Sequence, residues 1–308
     1  MANNITKFKK YIDLLDEVYK KESLTADLDA DATLVRAGAN ANEIVIPKIS
    51  LDGLADYSRN GGYVSGNVNL TNETVAFNYD RGRKFTVDAM DDEETAGVAF
   101  GKLSSEFIRT KVVPERDAVR FATYAGTTGI SKVSAGVTYA NGNEWLAGIV
   151  TAVNKMDEDE VSQENRILYI TPTGYNAIMA VDTNKSKEIL NGFAKVVKVP
   201  QSRFYTLIDL ADGTTGGEEA GGYTKATSGK EINFMIIQKD AVIQYQKHTV
   251  NKVVSPEENQ TSDGWMFFFR AYGLNDVYEN KVAGISPTCL SPPHNKACKY
   301  SDKRKDPV

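Results

Sequence analysis

Residues 107–126 read FIRTKVVPERDAVRFATYAG, and FTVDAMDDEETAG precedes them at 85–97. Apolar residues recur at helical spacing on both sides of Pro114, namely Ala99, Leu103, Phe107, Ala118, Phe121, Ala122 and Ala125. We predict one long helix over about 95–125 that Gly126 ends and Pro114 interrupts, because proline lacks the N–H of a helical hydrogen bond. The acidic run 91–94 is expected to cap this helix rather than to bind metal.

The sequence before this helix predicts β-structure. Apolar residues alternate over 75–79 and again over 85–89, and Asp80-Arg81-Gly82-Arg83 separates the two runs. Glycine in such a tetrapeptide is typical of a turn. We therefore predict a projecting hairpin with an exposed, basic tip at 80–83. Further upstream, residues 5–22 predict an amphipathic helix, and the polar residues 23–43 predict a linker or extended arm.

The sequence after residue 143 predicts an α/β arrangement. Asn143 is expected to cap a helix, and Arg166–Ile170 to form a strand that Thr171-Pro172 ends by starting another helix. Further strands are expected near 196–199, 234–237, 241–245, 265–271 and 276–280. Residues 211–230 form a glycine-rich loop without the spacing of a phosphate-binding loop.

Composition argues against most enzymes. The 308 residues carry a net charge of −5, two histidines and two cysteines, and they contain no short catalytic motif. Few cysteines indicate a reducing environment, and neither a signal peptide nor a membrane span is expected. The segment 286–308 holds both cysteines and His294. It predicts a disordered tail foreign to the fold, because its prolines oppose helix and strand, and the spacing of Cys289, His294 and Cys298 fits no usual zinc site.

The order of these parts resembles that of the major capsid proteins of tailed bacteriophages, which have the Hong Kong 97 fold. Residues 85–97 look like the end of their extended loop, and residues 107–126 are similar to their spine helix. Three segments look like strands of their apical and peripheral domains: LYITPTGYNAIM at 168–179, VVKVPQSRFYT at 196–206 and GWMFFFRAYGLNDVYENKVAGI at 264–285. The resemblance covers about residues 1–285. It implies an α+β chain with an N-terminal arm, an extended β-hairpin loop, a long spine helix, and peripheral and apical domains.

The resemblance also implies how the chain is divided. The expected parts are an N-terminal helix and arm (1–43), the extended hairpin loop (44–92), the spine helix (93–130), the apical domain (131–245), a closing β segment (246–285) and the tail (286–308).

The function implied is that of a coat protein without enzymatic activity. Such a protein self-assembles, as pentamers and hexamers, into an icosahedral phage head shell around double-stranded DNA. It needs no cofactor, membrane or sequence-specific DNA contact. A separate scaffolding protein, a portal and a maturation protease are the expected partners. Assembly is expected in the cytoplasm of the bacterial host, and the protein ends in the virion capsid.

Charged residues near the hairpin and the helix are the candidates for contacts between subunits: Arg81, Arg83, Lys84, Asp91, Asp92, Glu93, Glu94, Glu115 and Arg116. The hypothesis is that the arginines pair with acids of an adjacent subunit. An encapsulin-like nanocompartment shell remains an alternative function. A carbohydrate-active hydrolase and a tail or adhesin component are alternatives of other classes, although no internal repeat supports the last.

Overall fold

The structure, a computed structural model, describes residues 23–29, 36–37, 43–94, 98–130, 138–181 and 183–289. The predicted helix over 5–22 and residues 290–308 lie outside the described residues. The strands are β1 (Arg36–Ala37), β2 (Glu43–Leu51), β3 (Val68–Ala76), β4 (Tyr79–Asp88), β5 (Arg166–Ile170), β6 (Lys195–Lys198), β7 (Ile208–Leu210), β8 (Tyr223–Lys225), β9 (Ile232–Gln238), β10 (Val242–Val254), β11 (Gly264–Val277) and β12 (Ile285–Cys289). The helices are α1 (Ala89–Glu94), α2 (Val98–Phe107), α3 (Val113–Gly126), α4 (Gly142–Glu158), α5 (Pro172–Met179) and α6 (Thr183–Asn191), with a π segment (Ile108–Val112) joining α2 to α3.

A four-stranded sheet of order β12-β9-β5-β6 is covered on both faces. Successive strand side chains point to opposite faces, so the residues of β5 divide between two cores. Ile167 and Tyr169 pack with residues of α3, whereas Leu168 and Ile170 pack with residues of α4 and α5. The predicted strand at 166–170 is confirmed, and burial on both faces explains its unbroken apolar sequence.

A second sheet, of order β10-β11-β4, packs against the long helix. Val112 and Val113 join Phe267 and Phe269 of β11 in one core. The rings of Phe85 and Phe107 meet edge to face with centroids 4.8 Å apart. The sheet therefore holds the helix at its interruption.

The predicted interruption of the long helix is confirmed and takes the form of the π segment. Pro114 is the second residue of α3 and has no N–H to donate to the carbonyl of Thr110. A π turn shifts the hydrogen-bond pattern by one residue and allows the helix to continue past this position. The acidic run 91–94 lies in the separate helix α1, with Asp91 and Asp92 in its first turn, and not at the start of the long helix.

The turn predicted at Asp80–Arg83 is wrong, because these residues lie inside β4. Gly82 is opposite Arg270 of β11, and a Cβ at Gly82 would lie 2.7 Å from the carbonyl oxygen of Phe269. Glycine is needed here for the close approach of two strands, and not for a turn. The hairpin in the structure lies earlier in the chain and consists of β2 and β3. These strands pair along their length, from Glu43 opposite Ala76 to Leu51 opposite Val68.

The C-terminal part differs from expectation in three places. The helix expected to be capped by Asn143 is capped by Asn141, whose side chain accepts from the N–H of Glu144. The strand expected at 265–271 is confirmed as part of β11, which continues to Val277, but the separate strand expected at 276–280 is wrong, because Glu279–Gly284 form a 3-10 helix. The tail expected from 286 contributes β12, which is buried and pairs with β9. Pro287 is compatible with β12 because this strand lies at the sheet edge.

Candidate functional site

The β2–β3 hairpin has one apolar face that the rest of the described chain does not cover. Ile49 is opposite Leu70 and Leu51 is opposite Val68, so these four side chains share a face. They are 61–72% exposed. Beyond them, the hairpin tip (residues 52–67) carries Leu54, which is completely exposed. Exposed apolar surface of this kind marks an interaction site.

The hairpin is anchored at its base. Val75 is buried in a small core with Phe77, Ile243 and Leu274. Nine-residue strands at about 3.3 Å per residue extend roughly 30 Å. The tip therefore projects far from the core that anchors the hairpin.

A groove of about 1110 Å³ lies beside the long helix. Leu103, Phe107 and Lys111 form part of its helical wall, Phe85 and Phe269 of the second sheet contribute aromatic surface, and residues 220–225 close the other side. We call this feature the groove. It combines apolar side chains with charged groups, as recognition sites do.

Arg81 fixes one end of the groove. Its Nε lies 2.8 Å from a carboxylate oxygen of Glu115, and it also donates to the carbonyls of Ala211 (2.8 Å) and Gly222 (3.3 Å). The arginine and glutamate side chains are only 24% and 12% exposed. Arg81 thus ties β4 to both the helix and the glycine-rich loop.

Arg83 lies two residues further along β4 and donates to the carbonyl of Glu219 at 2.8 Å. Gly213 and Gly221 of the glycine-rich loop surround its guanidinium at positive φ, +77° and +65°. A Cβ at these glycines would lie 2.9 and 3.1 Å from Arg83 Nη1. The glycines therefore allow the loop backbone to close around the arginine.

Tyr223 provides a neutral hydroxyl at the groove wall. It donates to the carbonyl of Ser202 at 2.9 Å. Burial raises the pKa of Tyr223 to about 12, against the opposing effect of the Arg203 charge. The tyrosine therefore supplies a hydrogen-bond donor and not a base at neutral pH.

The other candidate contact residues are dispersed. Arg116 is only 6% exposed and donates to Gln246 Oε1 at 2.6 Å, which leaves little surface for a neighbour. Lys84 lies on the opposite face of β4 from Arg81 and Arg83, beside Lys252 and Arg270 in a second, shallower depression. Asp91 and Asp92 lie in α1. Glu93 and Glu94 also lie in α1, but the structure does not describe their side chains.

A buried polar network that the sequence did not reveal holds residues 23–29 against α3. Arg120, 2% exposed, donates to Thr25 Oγ1 at 2.7 Å and to Asp29 Oδ1 at 2.9 Å. The fully buried Asp117 accepts from Thr25 Oγ1 at 2.8 Å and pairs with Arg203. This part of the predicted linker is therefore docked to the core.

The side chains that could ligate a metal are dispersed among the described residues. Within them, no three histidine, cysteine, aspartate or glutamate residues form a group suited to a metal ion. His248 is exposed on β10, and Cys289 is buried in β12. No helix in the described ranges has the length and apolar character needed to cross a membrane.

Comparison with solved structures identifies the fold. A structure from Gordonia phage Cozz matches with a TM-score of 0.56 at 12% identity, covering 88% of this chain and 87% of that one. The capsid of Myoviridae phage XM1 matches with a TM-score of 0.53 at 11% identity, covering 83% and 88%. A virus-like particle from Pyrococcus furiosus matches with a TM-score of 0.52 at 12% identity, covering 90% and 99%. No protein-family model and no curated protein matches the sequence.

Proposed function

We propose that this chain, which has the Hong Kong 97 fold of phage capsid proteins, is the major capsid protein of a tailed bacteriophage. The observation that carries the proposal is the β2–β3 hairpin, which presents the apolar side chains of Ile49, Leu51, Val68 and Leu70 to solvent. Burying each of these side chains contributes roughly 1.5–3 kcal/mol. The chain therefore gains the free energy of burying these four side chains only when the hairpin contacts another molecule.

Contacts between copies of one chain explain this arrangement. The hairpin and the body of the chain offer different surfaces, so a contact between them is heterologous. Heterologous contacts repeated by rotation close into rings. Pentameric and hexameric rings are the units of an icosahedral shell.

The parts of the chain then take the following roles. Residues 43–76 are the extended loop, and α2, the π segment and α3 are the spine helix. The four-stranded sheet with α4, α5 and α6 is the main part of the apical domain. The β10-β11-β4 sheet is the main part of the peripheral domain, and the N-terminal segment to residue 43 is the arm.

Double-stranded DNA is the proposed content of the shell, held without sequence-specific contacts. A chain of net charge −5 has no overall cationic surface that would bind the genome by counterion release. A separate scaffolding protein, a portal and a maturation protease are the proposed partners. Assembly takes place in the cytoplasm of the bacterial host, and the protein ends in the virion.

The second candidate function is an encapsulin-like compartment. The observation that favours it is the match to the Pyrococcus furiosus particle, which covers 99% of that chain. The two functions differ in content. Nuclease-protected double-stranded DNA within purified particles supports the phage head, whereas a protein cargo without DNA supports the compartment.

Size-exclusion chromatography with negative-stain microscopy tests the shell itself. The purified chain, alone and coexpressed with its neighbouring genes, is expected to elute as capsomers or uniform particles. A subunit that stays monomeric under every one of these conditions contradicts both shell functions and reopens the hydrolase alternative.

A further inference from the structure

The hairpin tip contains the dipeptide Asn60-Gly61. Asparagine is among the chemically labile residues of proteins, and a following glycine has no side chain to keep its nitrogen away from the asparagine amide. We propose that Asn60 is a site of spontaneous modification, at which the chain converts a neutral amide into an acid. This inference goes beyond the proposed function, and it holds whether or not the chain assembles.

The reaction needs water and no enzyme. The main-chain nitrogen of Gly61 loses its proton and attacks Cγ of Asn60, the Cγ–Nδ2 bond breaks, and the leaving nitrogen takes up a proton and departs as ammonia. The product is a five-membered succinimide ring. Water then opens the ring at one of its two carbonyls. Opening at one carbonyl gives aspartate, and opening at the other gives isoaspartate, whose main chain runs through the former side chain and is one methylene longer.

The structure leaves Asn60 free to react. Asn60 and Gly61 lie in an exposed turn that the Ser58–Gly62 bridge closes, with the N–H of Gly62 donating to the carbonyl of Ser58 at 2.7 Å. The Asn60 side chain makes no hydrogen bond with any described residue. The N–H of Gly61 donates to Ser58 Oγ at 3.1 Å, an exposed bond that water can replace. Rotation of Asn60 into the reactive conformation therefore disturbs a solvent-exposed turn and leaves the core intact.

A second asparagine–glycine pair, at 141–142, is protected by a helix cap. Oδ1 of Asn141 accepts from the N–H of Glu144 at 3.1 Å, and Nδ2 donates to the Glu144 carboxylate at 2.9 Å. Gly142 is buried as the first residue of α4. Cyclisation there must first break the cap, and the stability of such a cap slows the reaction by about tenfold.

The third asparagine–glycine pair, at 191–192, is held by the end of a helix. Asn191 is the last residue of α6. The N–H of Gly192 donates to the carbonyl of Ile189 at 3.3 Å, so the nitrogen that would attack belongs to the last turn. Rotation of the main chain at Asn191 opens that turn. The structure therefore ranks Asn60 above both other asparagines as a reactive site.

The modification changes the charge and the length of the hairpin tip. The tip carries Asp52, Asp56 and Arg59, two acids against one base, so its net charge is −1. Conversion of Asn60 makes this charge −2 and places the new carboxylate next to Arg59 in the sequence. Isoaspartate also lengthens the main chain inside the turn. Because the released ammonia is lost to solvent, the modified fraction rises with the time since synthesis.

Peptide mapping by mass spectrometry tests the site. The purified full-length chain is incubated at 37 °C, at pH 7 and at pH 8, beside a synthetic peptide of residues 55–66. The segment that holds Asn60 is expected to gain about one dalton and to yield both aspartate and isoaspartate. The rate is expected to rise about tenfold between the two pH values, because the nucleophile is the deprotonated amide. It is also expected to exceed the rates at Asn141 and Asn191 at least about tenfold.

Gly61→Ala is the matched control. A Cβ at Gly61 would lie 3.5 Å from the Ser58 side chain, an ordinary contact, so the turn is kept while the approach to Asn60 Cγ is hindered. This variant is expected to react at least about tenfold more slowly, with an unchanged circular dichroism spectrum. Equal rates at the three asparagines, or an unmodified Asn60 in the folded chain while the synthetic peptide converts, overturns the inference. A gain of mass without isoaspartate also overturns it, because hydrolysis without the ring yields aspartate alone.

Discussion

Replacing Arg81 by methionine tests how the groove is held together. Arg81→Met keeps the aliphatic stem but leaves the Glu115 carboxylate without its guanidinium, and it removes the hydrogen bonds to Ala211 and Gly222. Breaking a fully buried ion pair costs about 3–5 kcal/mol. Because the Arg81 and Glu115 side chains retain 24% and 12% exposure, we expect the lower end, about 3 kcal/mol. Urea unfolding of unassembled subunits measures this loss, which corresponds to a midpoint about 1 M lower.

The matched control for this change is Arg270→Met. Arg270 makes the same two-pronged contact with Asp80, at 2.9 and 2.7 Å, in the same sheet. These two side chains are 58% and 42% exposed, so solvent screens the pair and little stability is lost. Combining Arg81→Met with Glu115→Gln is expected to cost at least about 1 kcal/mol less than the sum of the single changes. Equal stability losses for Arg81→Met and Arg270→Met, or full additivity of Arg81→Met and Glu115→Gln, would show that the buried Arg81–Glu115 pair does not stabilise the fold more than the exposed pair.

Three further predictions concern other parts of the chain. Gly142→Ala places a Cβ 2.1 Å from the carbonyl oxygen of Ala177, so thermal unfolding should show a loss of about 1–3 kcal/mol; an unchanged melting temperature contradicts this packing. Burial raises the pKa of Asp276, so its charged form destabilises the folded chain as pH rises through that pKa; Asp276→Asn should raise the melting temperature at pH 7 and not at pH 3, and an equal effect at both pH values contradicts the assignment. Arg120→Met should release residues 23–29, seen as faster amide hydrogen exchange there than in β9; unchanged exchange means that the network does not hold this segment.

Local signals in the sequence predict much of the fold. Thr171 followed by Pro172 starts a helix through contacts within four residues, and the structure shows the Thr171 side chain accepting from the N–H of Gly174. Pro114 acts locally as well, because the hydrogen bond that it cannot make lies within one turn of its own helix. These features depend on near neighbours in the sequence, which is why they can be predicted.

The errors arise from contacts distant in sequence. Gly82 has the residue type of a turn, but its partner is the backbone of β11, almost 190 residues later. Pro287 opposes strand formation in general but is compatible with an edge strand, and only the sheet order shows that β12 is at an edge. The sequence alone does not reveal either neighbour.

The candidate contact residues also divide into those that the sequence can identify and those that only the fold reveals. Charge and position selected Arg81 and Glu115, and the structure brings them together within one chain. The hairpin tip and its exposed Leu54 were not selected, because exposure depends on where the hairpin projects. A completely exposed leucine is visible only after the fold is known.

Cryo-electron microscopy of particles assembled from this chain shows whether the chain forms a shell. We expect a closed icosahedral shell of fivefold and sixfold rings, in which the β2–β3 hairpin of each copy extends over a neighbour. Monomers at every concentration, open filaments, or a closed shell whose hairpins contact no other copy would contradict this expectation.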